Sequence, residues 1–295
     1  MAKLKYSFRT DILFKLLFTK NQHLLKKLVA HLLKITQDSI TEFSILNPEM
    51  PPDVIGDKFC RLDILMTVNK QQVNLEVQVN NEGDYPERVL YYWAKAYSNA
   101  LSESEKYIDL PQVVVINIVN FPLFKGCKEF HSEFQLLEVS RGTQLTNKLV
   151  LHFYELRKLP KSADRNDLQR LWLALFKAKT EEELQMIEEL GVPEVNEAIT
   201  EYRRVISSSE LREIERQRER ARMNEASALH NAEIRAEKRE AKKWKGVIKR
   251  KDTELAEKDS ALADKDSALA EKDSALAEKD ALISELKAKL QAANE

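Results

Sequence analysis

Residues 59–78, FCRLDILMTVNKQQVNLEVQ, decide the fold, because they read as two strands joined by a tight turn. Side chains alternate along a strand with a period of two. Cys60, Leu62, Ile64, Met66 and Val68 therefore share one face, and Arg61, Asp63 and Thr67 the other. In the second run Val73, Leu75, Val77 and Val79 form the apolar face, with Asn74, Glu76 and Gln78 opposite. A two-residue loop at Asn69 and Lys70, where Asn tolerates positive φ, pairs Val68 with Gln71 and sets Asp63 opposite Glu76. A looser turn, shifted by two residues, sets Asp63 opposite Gln78 instead. In either register the carboxylates are neighbours on one face.

Like charges side by side on a sheet repel unless something positive lies between them. A divalent metal ion is one candidate, since hard cations such as Mg²⁺ take carboxylates, a backbone carbonyl and water, the chemistry of phosphodiester hydrolysis. The other reading is a solvated polar face on which Asp63 and Glu76 meet only water. Spacing alone leaves both open.

An Asp in a first strand, followed by Glu-x-Lys or Glu-x-Gln in the strand paired with it, resembles the core of the PD-(D/E)XK nuclease superfamily. DILFKLLF, LDILMTV, NLEVQV and ERVLYYWAKAYSNAL, in that order, resemble its transposase or recombination-promoting nuclease branch over about residues 10–124, and more weakly to about residue 158. The resemblance implies an α/β restriction-endonuclease-like core, a mixed sheet flanked by helices. It implies a metal-dependent DNA endonuclease of recombination or transposition, with Mg²⁺ or Mn²⁺ held by Asp63, Glu76 and the carbonyl of Val77. Gln78 then takes the water-orienting position. The superfamily's commoner residue there is Lys, and a neutral amide supplies no full charge; Lys95 on the following helix is the candidate substitute. Asp11 is the first-helix acid that the superfamily often brings to the metal, and Arg88 with Tyr92 matches an Arg-x-x-x-Tyr pattern beside the active site. The rival is a catalytically inactive DNA-binding or coiled-coil scaffold protein that keeps the nuclease fold.

Outside the hairpin the pattern is helix, hairpin, helix, strand. Thr10 and Asn21 are placed to cap two helices, with apolar stripes of Ile12, Leu13, Leu16 and Leu17 and of Leu24, Leu25, Leu28, Val29, Leu32 and Leu33. Asp11 in the first turn also suits the helix dipole. Residues 40–46 read as a strand leading into the loop NPEMPPDVIGDK. Asp84 and Pro86 start a helix whose buried face is Val89, Trp93, Ala96 and Ala100, and whose polar stripe is Arg88, Tyr92, Lys95 and Asn99. That stripe also reads as an ordinary solvated face. After Pro111, VVVINIV is a strand buried on both faces and parallel to its neighbour. Residues 130–137 and 149–153 are a further strand pair, separated by Arg141-Gly142-Thr143. His131 and His152 lie there with no partner at ligand spacing and read as surface or satisfied histidines.

From residue 167 the chain turns helical. Leu168, Leu171, Trp172, Leu175 and Phe176 form a stripe, Thr180 and Glu183 a capping box for a helix ending at Gly191, and a third helix starts near Pro193 and runs into the tail. Composition shifts near Ser207, so the expected divisions are residues 1–160, 161–206 and 207–295. In the tail, RAEKREAKKWKGVIKRK is basic; it reads either as a solvated stalk or as a contact for DNA phosphates through Lys242, Lys243, Lys245, Lys249 and Arg250. Beyond it Leu255, Leu262, Leu269 and Leu276 recur every seven residues, but the companion seam position carries Asp or Lys, which predicts a helical spacer or weak homo-oligomeric coiled coil.

The net charge of −1 conceals these opposed stretches, so nucleic-acid contact depends on local patches. Two cysteines far apart argue against a zinc or disulfide framework and lead to the expectation of a reducing cytoplasm. No membrane-length apolar run is present, and no phosphate-binding glycine loop points to nucleotide hydrolysis.

Overall fold

The structure, a computed structural model, describes residues 3–46, 49–50, 60–61, 63–101 and 106–293. Leu62 and most of the loop expected at residues 47–58 lie outside the described residues. In chain order the elements are α1 (Asp11–Lys20), α2 (Gln22–Leu33), β1 (Phe43–Ile45), β2 (Glu49–Met50), β3 (Cys60–Arg61), β4 (Ile64–Val68), β5 (Gln71–Gln78) and α3 (Tyr85–Ser98). They continue as β6 (Val113–Val119), β7 (His131–Leu137), β8 (Gln144–Glu155), α4 (Leu168–Lys177), α5 (Glu181–Glu188), α6 (Pro193–Ser207) and α7 (Ser209–Ala293).

The hairpin forms in the tight register: Val68 faces Gln71 and Ile64 faces Leu75. Asn69 adopts φ 51°, and its Oδ1 accepts the backbone N–H groups of Thr41 and Glu42 at 2.9 and 3.2 Å. The turn is thereby tied to the segment that enters β1, which pairs antiparallel with the other edge of β4. The expected single first strand is interrupted. Cys60 and Arg61 pair instead with Glu49 and Met50 in a separate ladder, and the chain bends at Asp63 before β4 begins. The bend takes Asp63 out of the ladder, so its main-chain and side-chain groups can bond to β5.

The main sheet has the order β1-β4-β5-β6-β8-β7; β5, β6 and β8 are parallel, and the outer pairings are antiparallel. It is the mixed sheet flanked by helices that the resemblance implied. Alternation along the strands sends Ile64, Met66, Val73, Leu75, Val114, Ile116 and Tyr154 into one core with α1, α2 and α4 to α6. The intervening residues Leu65, Val113, Val115, Leu151 and Phe153 go into two smaller clusters with α3. Phe14 and Phe18 of α1 meet Phe176 of α4, and Phe8 stacks on Tyr202 of α6 at 4.8 Å. Each such buried aromatic contributes about 1.5–3 kcal/mol relative to exposure.

The polar face of the hairpin is not solvated. Leu65, Asn74 and Glu76 are all buried, because α3 lies across that face through Ala96, Trp93 and Tyr97. On α3 the buried side chains are Tyr85, Val89, Lys95 and Ala96, while Trp93 and Ala100 are half-buried; Val79 is exposed just past the end of β5.

Several local expectations are also revised. The Thr10 hydroxyl accepts the Ser7 N–H at 3.0 Å rather than capping α1, and Asn21 Nδ2 donates back to the Leu17 carbonyl. The Thr180–Glu183 capping box forms as read, with Gly191 at φ 67° shortly after α5. The third helix does not run unbroken into the tail: Ser208 is extended, and its hydroxyl accepts the Leu211 N–H to start α7.

The chain divides into two compact units, Met1–Arg216 and Gln217–Glu295. In the second unit the α7 helix carries Leu255, Leu262, Leu269 and Leu276 about 62% exposed, and Lys242, Lys243, Lys245, Lys249 and Arg250 are exposed as well. Among the described residues no helix is long and apolar enough to cross a membrane.

Candidate active site

At the carboxyl end of β5 two acidic residues interlock. The Val77 N–H donates to Asp63 Oδ2 at 2.8 Å, while the Asp63 N–H donates to Glu76 Oε1 at 3.2 Å. Each carboxylate is thus held by main chain from the opposite side of the hairpin, an arrangement available only because Asp63 has left the ladder. Asn74, two residues before Glu76 on the same strand face, donates Nδ2 to Glu76 Oε1 at 2.9 Å. From α1, Lys15 Nζ lies 3.2 Å from Asp11 Oδ1 and 3.6 Å from Asp63 Oδ1. The side chains of Asp11, Lys15, Asp63, Asn74 and Glu76, from α1 and the two arms of the hairpin, therefore meet at one end of the sheet.

Burial dominates the electrostatics. Glu76 is 8% exposed, and burial together with the neighbouring Asp63 charge pushes its carboxyl up to about 8, against the opposing bonds from Asn74 and Asp63. Burial also raises Asp63, with the Val77 N–H and Lys15 pulling the other way. The buried Glu76 carboxyl and the half-buried Asp63 carboxyl, with Lys15 beside them, make an acidic centre short of positive charge. Asn74 Oδ1 is buried with no hydrogen-bond partner among the described residues. The Asp63 and Glu76 carboxylates offer oxygen donors, which suit a hard divalent cation.

Residues 8–232 match the family described as PD-(D/E)XK nuclease family transposase. The chain belongs to this family. No curated protein and no solved structure matches it. Membership implies a nuclease acting on DNA in transposition, and PD-(D/E)XK nucleases generally use divalent metals.

Within the PD-(D/E)XK frame, the other expected residues take different places. Gln78 follows Glu76 on the same strand face, but its Nε2 donates to the Asn80 carbonyl at 2.9 Å. Arg88 pairs with Glu82 at 2.7 Å and lies over the Tyr85 ring at 5.0 Å. Tyr92 packs half-buried against the cluster of Leu65, Ala96 and Val113, and Lys95 is buried on the same helix. The basic residues from Lys242 to Arg250 lie in the second unit, beyond the last residue of the family match.

Sequence reasoning missed Lys15, Asn74, Tyr85 and Asn117. Tyr85, the first residue of α3, donates its hydroxyl to Asn117 Oδ1 at 3.0 Å, and Asn117 stands beside Glu76 in the β5–β6 register. Burial and then the Glu76 charge hold the Tyr85 phenol well above its ordinary range. Lys15 had a visible signal, an Asp four residues earlier on one helix. Asn74 had one too, as the neighbour of Glu76 on the strand face. The histidines read as surface or satisfied do partner one another: His131 and His152 meet across β7 and β8, with Nε2 and Nδ1 3.0 Å apart, a contact between strands that sequence spacing does not show.

Proposed function

We propose that this chain is a metal-dependent DNA endonuclease that hydrolyses phosphodiester bonds during recombination or transposition. The observation that carries the reading is the interlocked pair of half-buried Asp63 and buried Glu76 with Lys15 against it. Asp63 and Glu76, with the carbonyl of Val77, would hold Mg²⁺ or Mn²⁺. When bound, such an ion neutralises phosphate charge and provides a nucleophilic water at neutral pH. The chain's own residues prepare the site. Val77 N–H and Lys15 hold Asp63 on two sides, Asn74 and the Asp63 N–H orient Glu76, and the α3 cover excludes bulk water from their inner edge.

Lys15 brings a full positive charge to the carboxylates, which Gln78 cannot do, so it is the residue we assign to steadying negative charge on the attacked phosphate. Asp11 keeps Lys15 in place through its own ion pair. Gln78, Arg88, Tyr92 and Lys95 are accessory. In this scheme residues 1–160 carry the chemistry, 161–206 buttress it, and 207–295 supply phosphate contacts through the basic block and pair with a second copy through the leucine repeat.

One observation favours the rival, a non-catalytic DNA-binding scaffold: the Gln78 amide is occupied by the Asn80 carbonyl. Incubating the full chain with supercoiled plasmid, with and without Mg²⁺ or Mn²⁺, separates the two. Metal-dependent nicking that disappears in Asp63→Asn and Glu76→Gln supports the enzyme. Absence of cleavage under all metals, with DNA binding retained, supports the scaffold.

A further inference from the structure

On the opposite face of the sheet from Glu76, the β7–β8 pair gathers a second set of ligand groups. His152 alternates with Val150 and Tyr154 into the helix-covered core, whereas Glu76 faces α3. Across the ladder Glu133 stands directly opposite His152, and His131 opposite Tyr154. His131 Nε2 lies 3.0 Å from His152 Nδ1, and His152 Nδ1 lies 3.9 Å from Glu133 Oε2; one ligand atom from each of the three falls within 4.8 Å of the others. The edge of a tetrahedral zinc site, at Zn–N of about 2.0–2.1 Å, is about 3.3 Å. The observed spacings bracket that value.

We propose that His131, Glu133 and His152 form a second metal site, for a transition ion of the Zn²⁺ class, distinct from the acidic pair. Two imidazoles and one carboxylate select such an ion over Mg²⁺, which takes oxygen ligands. Without metal one ring N–H donates to the facing nitrogen of the other across the 3.0 Å contact; a cation that takes both nitrogens requires the donor ring to move that proton to its second nitrogen, by exchange with solvent.

The site is also held in shape. The His131 ring stacks on Tyr154 at 4.5 Å and 8°, and the Tyr154 hydroxyl is anchored to the Leu32 carbonyl and to Gln169. Three protein ligands leave a fourth position open. His131 forms part of the wall of a cleft of roughly 690 Å³ that carries charges of both signs, Lys34, Lys128 and Arg170 beside Glu129 and Asp167, with Arg170 paired to Asp167 at 2.9 Å.

The test is a titration of the full chain with Zn²⁺ against a chromophoric chelator, with Co²⁺ absorption recorded in parallel. The expected result is one tightly held Zn²⁺ per chain, retained in the Asp63→Asn, Glu76→Gln double variant and undiminished by excess Mg²⁺. His131→Phe keeps the stacked ring but removes its lone pair, and Glu133→Gln alters a side chain 41% exposed, so both keep the native circular dichroism. Each should weaken Zn²⁺ binding by about 100-fold, the scale of losing a group that shapes a metal site. The proposal is overturned if both variants bind Zn²⁺ as the unaltered chain does, if the tight site vanishes only in the Asp63, Glu76 double variant, or if Mg²⁺ displaces the ion.

Discussion

Glu76→Gln is expected to stabilise the metal-free protein, by an amount that grows with pH. In the folded chain the Glu76 carboxyl titrates at about 8, whereas its ordinary value is 4.5. Below pH 4.5 it is protonated in both states and nothing is lost. Between 4.5 and 8 the unfolded chain ionises and the folded chain does not, so each pH unit costs the fold about 1.4 kcal/mol. Roughly 3 kcal/mol is gone by pH 7, and at most about 5 kcal/mol above pH 8. Gln keeps Oε1 as acceptor for the Asn74 and Asp63 donors and removes the charge beside Asp63. The assay is urea unfolding in chelator at pH 5, 6.5 and 8, followed by tryptophan emission, since Trp172 is fully buried and Trp244 is exposed. The two proteins should be close at pH 5 and diverge in favour of the variant at pH 8. Adding Mg²⁺ should reverse the order at pH 8, because an ion bound only by the folded chain contributes about 1.4 kcal/mol per tenfold excess over its dissociation constant. Parallel pH profiles for the two proteins, or equal Mg²⁺ stabilisation of both, would refute the account of this site.

Lys15→Met should lower plasmid cleavage by about 10²-fold or more, the scale of removing one charge-stabilising group, while Gln78→Ala reduces it less and Gln78→Lys preserves or raises it; single-turnover rates decide this, and an unaffected Lys15→Met would remove that residue from the chemistry. Truncation after Lys251 should lower the molar mass seen by light scattering by more than the deleted residues while leaving the first unit folded, and a change equal to the deleted mass alone would show that the leucine repeat holds no partner. Changing Lys242, Lys243, Lys245, Lys249 and Arg250 to Gln should weaken DNA binding alike on all sequences and flatten its salt dependence, measured by fluorescence anisotropy across salt concentrations; an unchanged slope returns the block to a solvated stalk. Asn69→Ala should cost about 1–3 kcal/mol in urea unfolding, because it strains a residue at φ 51° and strands the N–H groups of Thr41 and Glu42.

What the amino-acid sequence determined by itself was local. Alternation made Asp63 and Glu76 neighbours on one face in either of two β4–β5 registers, and the structure took the one with a two-residue turn and Asn69 at positive φ. Period-two and period-3.6 patterns located the β6 strand, α3, the α4 stripe and the Thr180 box, since each depends only on residues a few positions apart. What the tertiary structure decided was which faces are covered and which distant groups meet. The polar face of the hairpin reads as soluble until α3 is laid on it, and then Asn74 and Glu76 become buried groups in need of partners. Lys15 reaches Asp63 across 48 positions of chain, a contact that no periodicity encodes. The bend at Asp63 and the β2–β3 pairing before it were not shown by hydrophobic alternation. His131, Glu133 and His152 converge only because β7 and β8 pair in one register before slipping beyond Gln135. A shift of one residue would turn His152 to the other face, and register along an irregular ladder is set by the packed core, which no single strand contains.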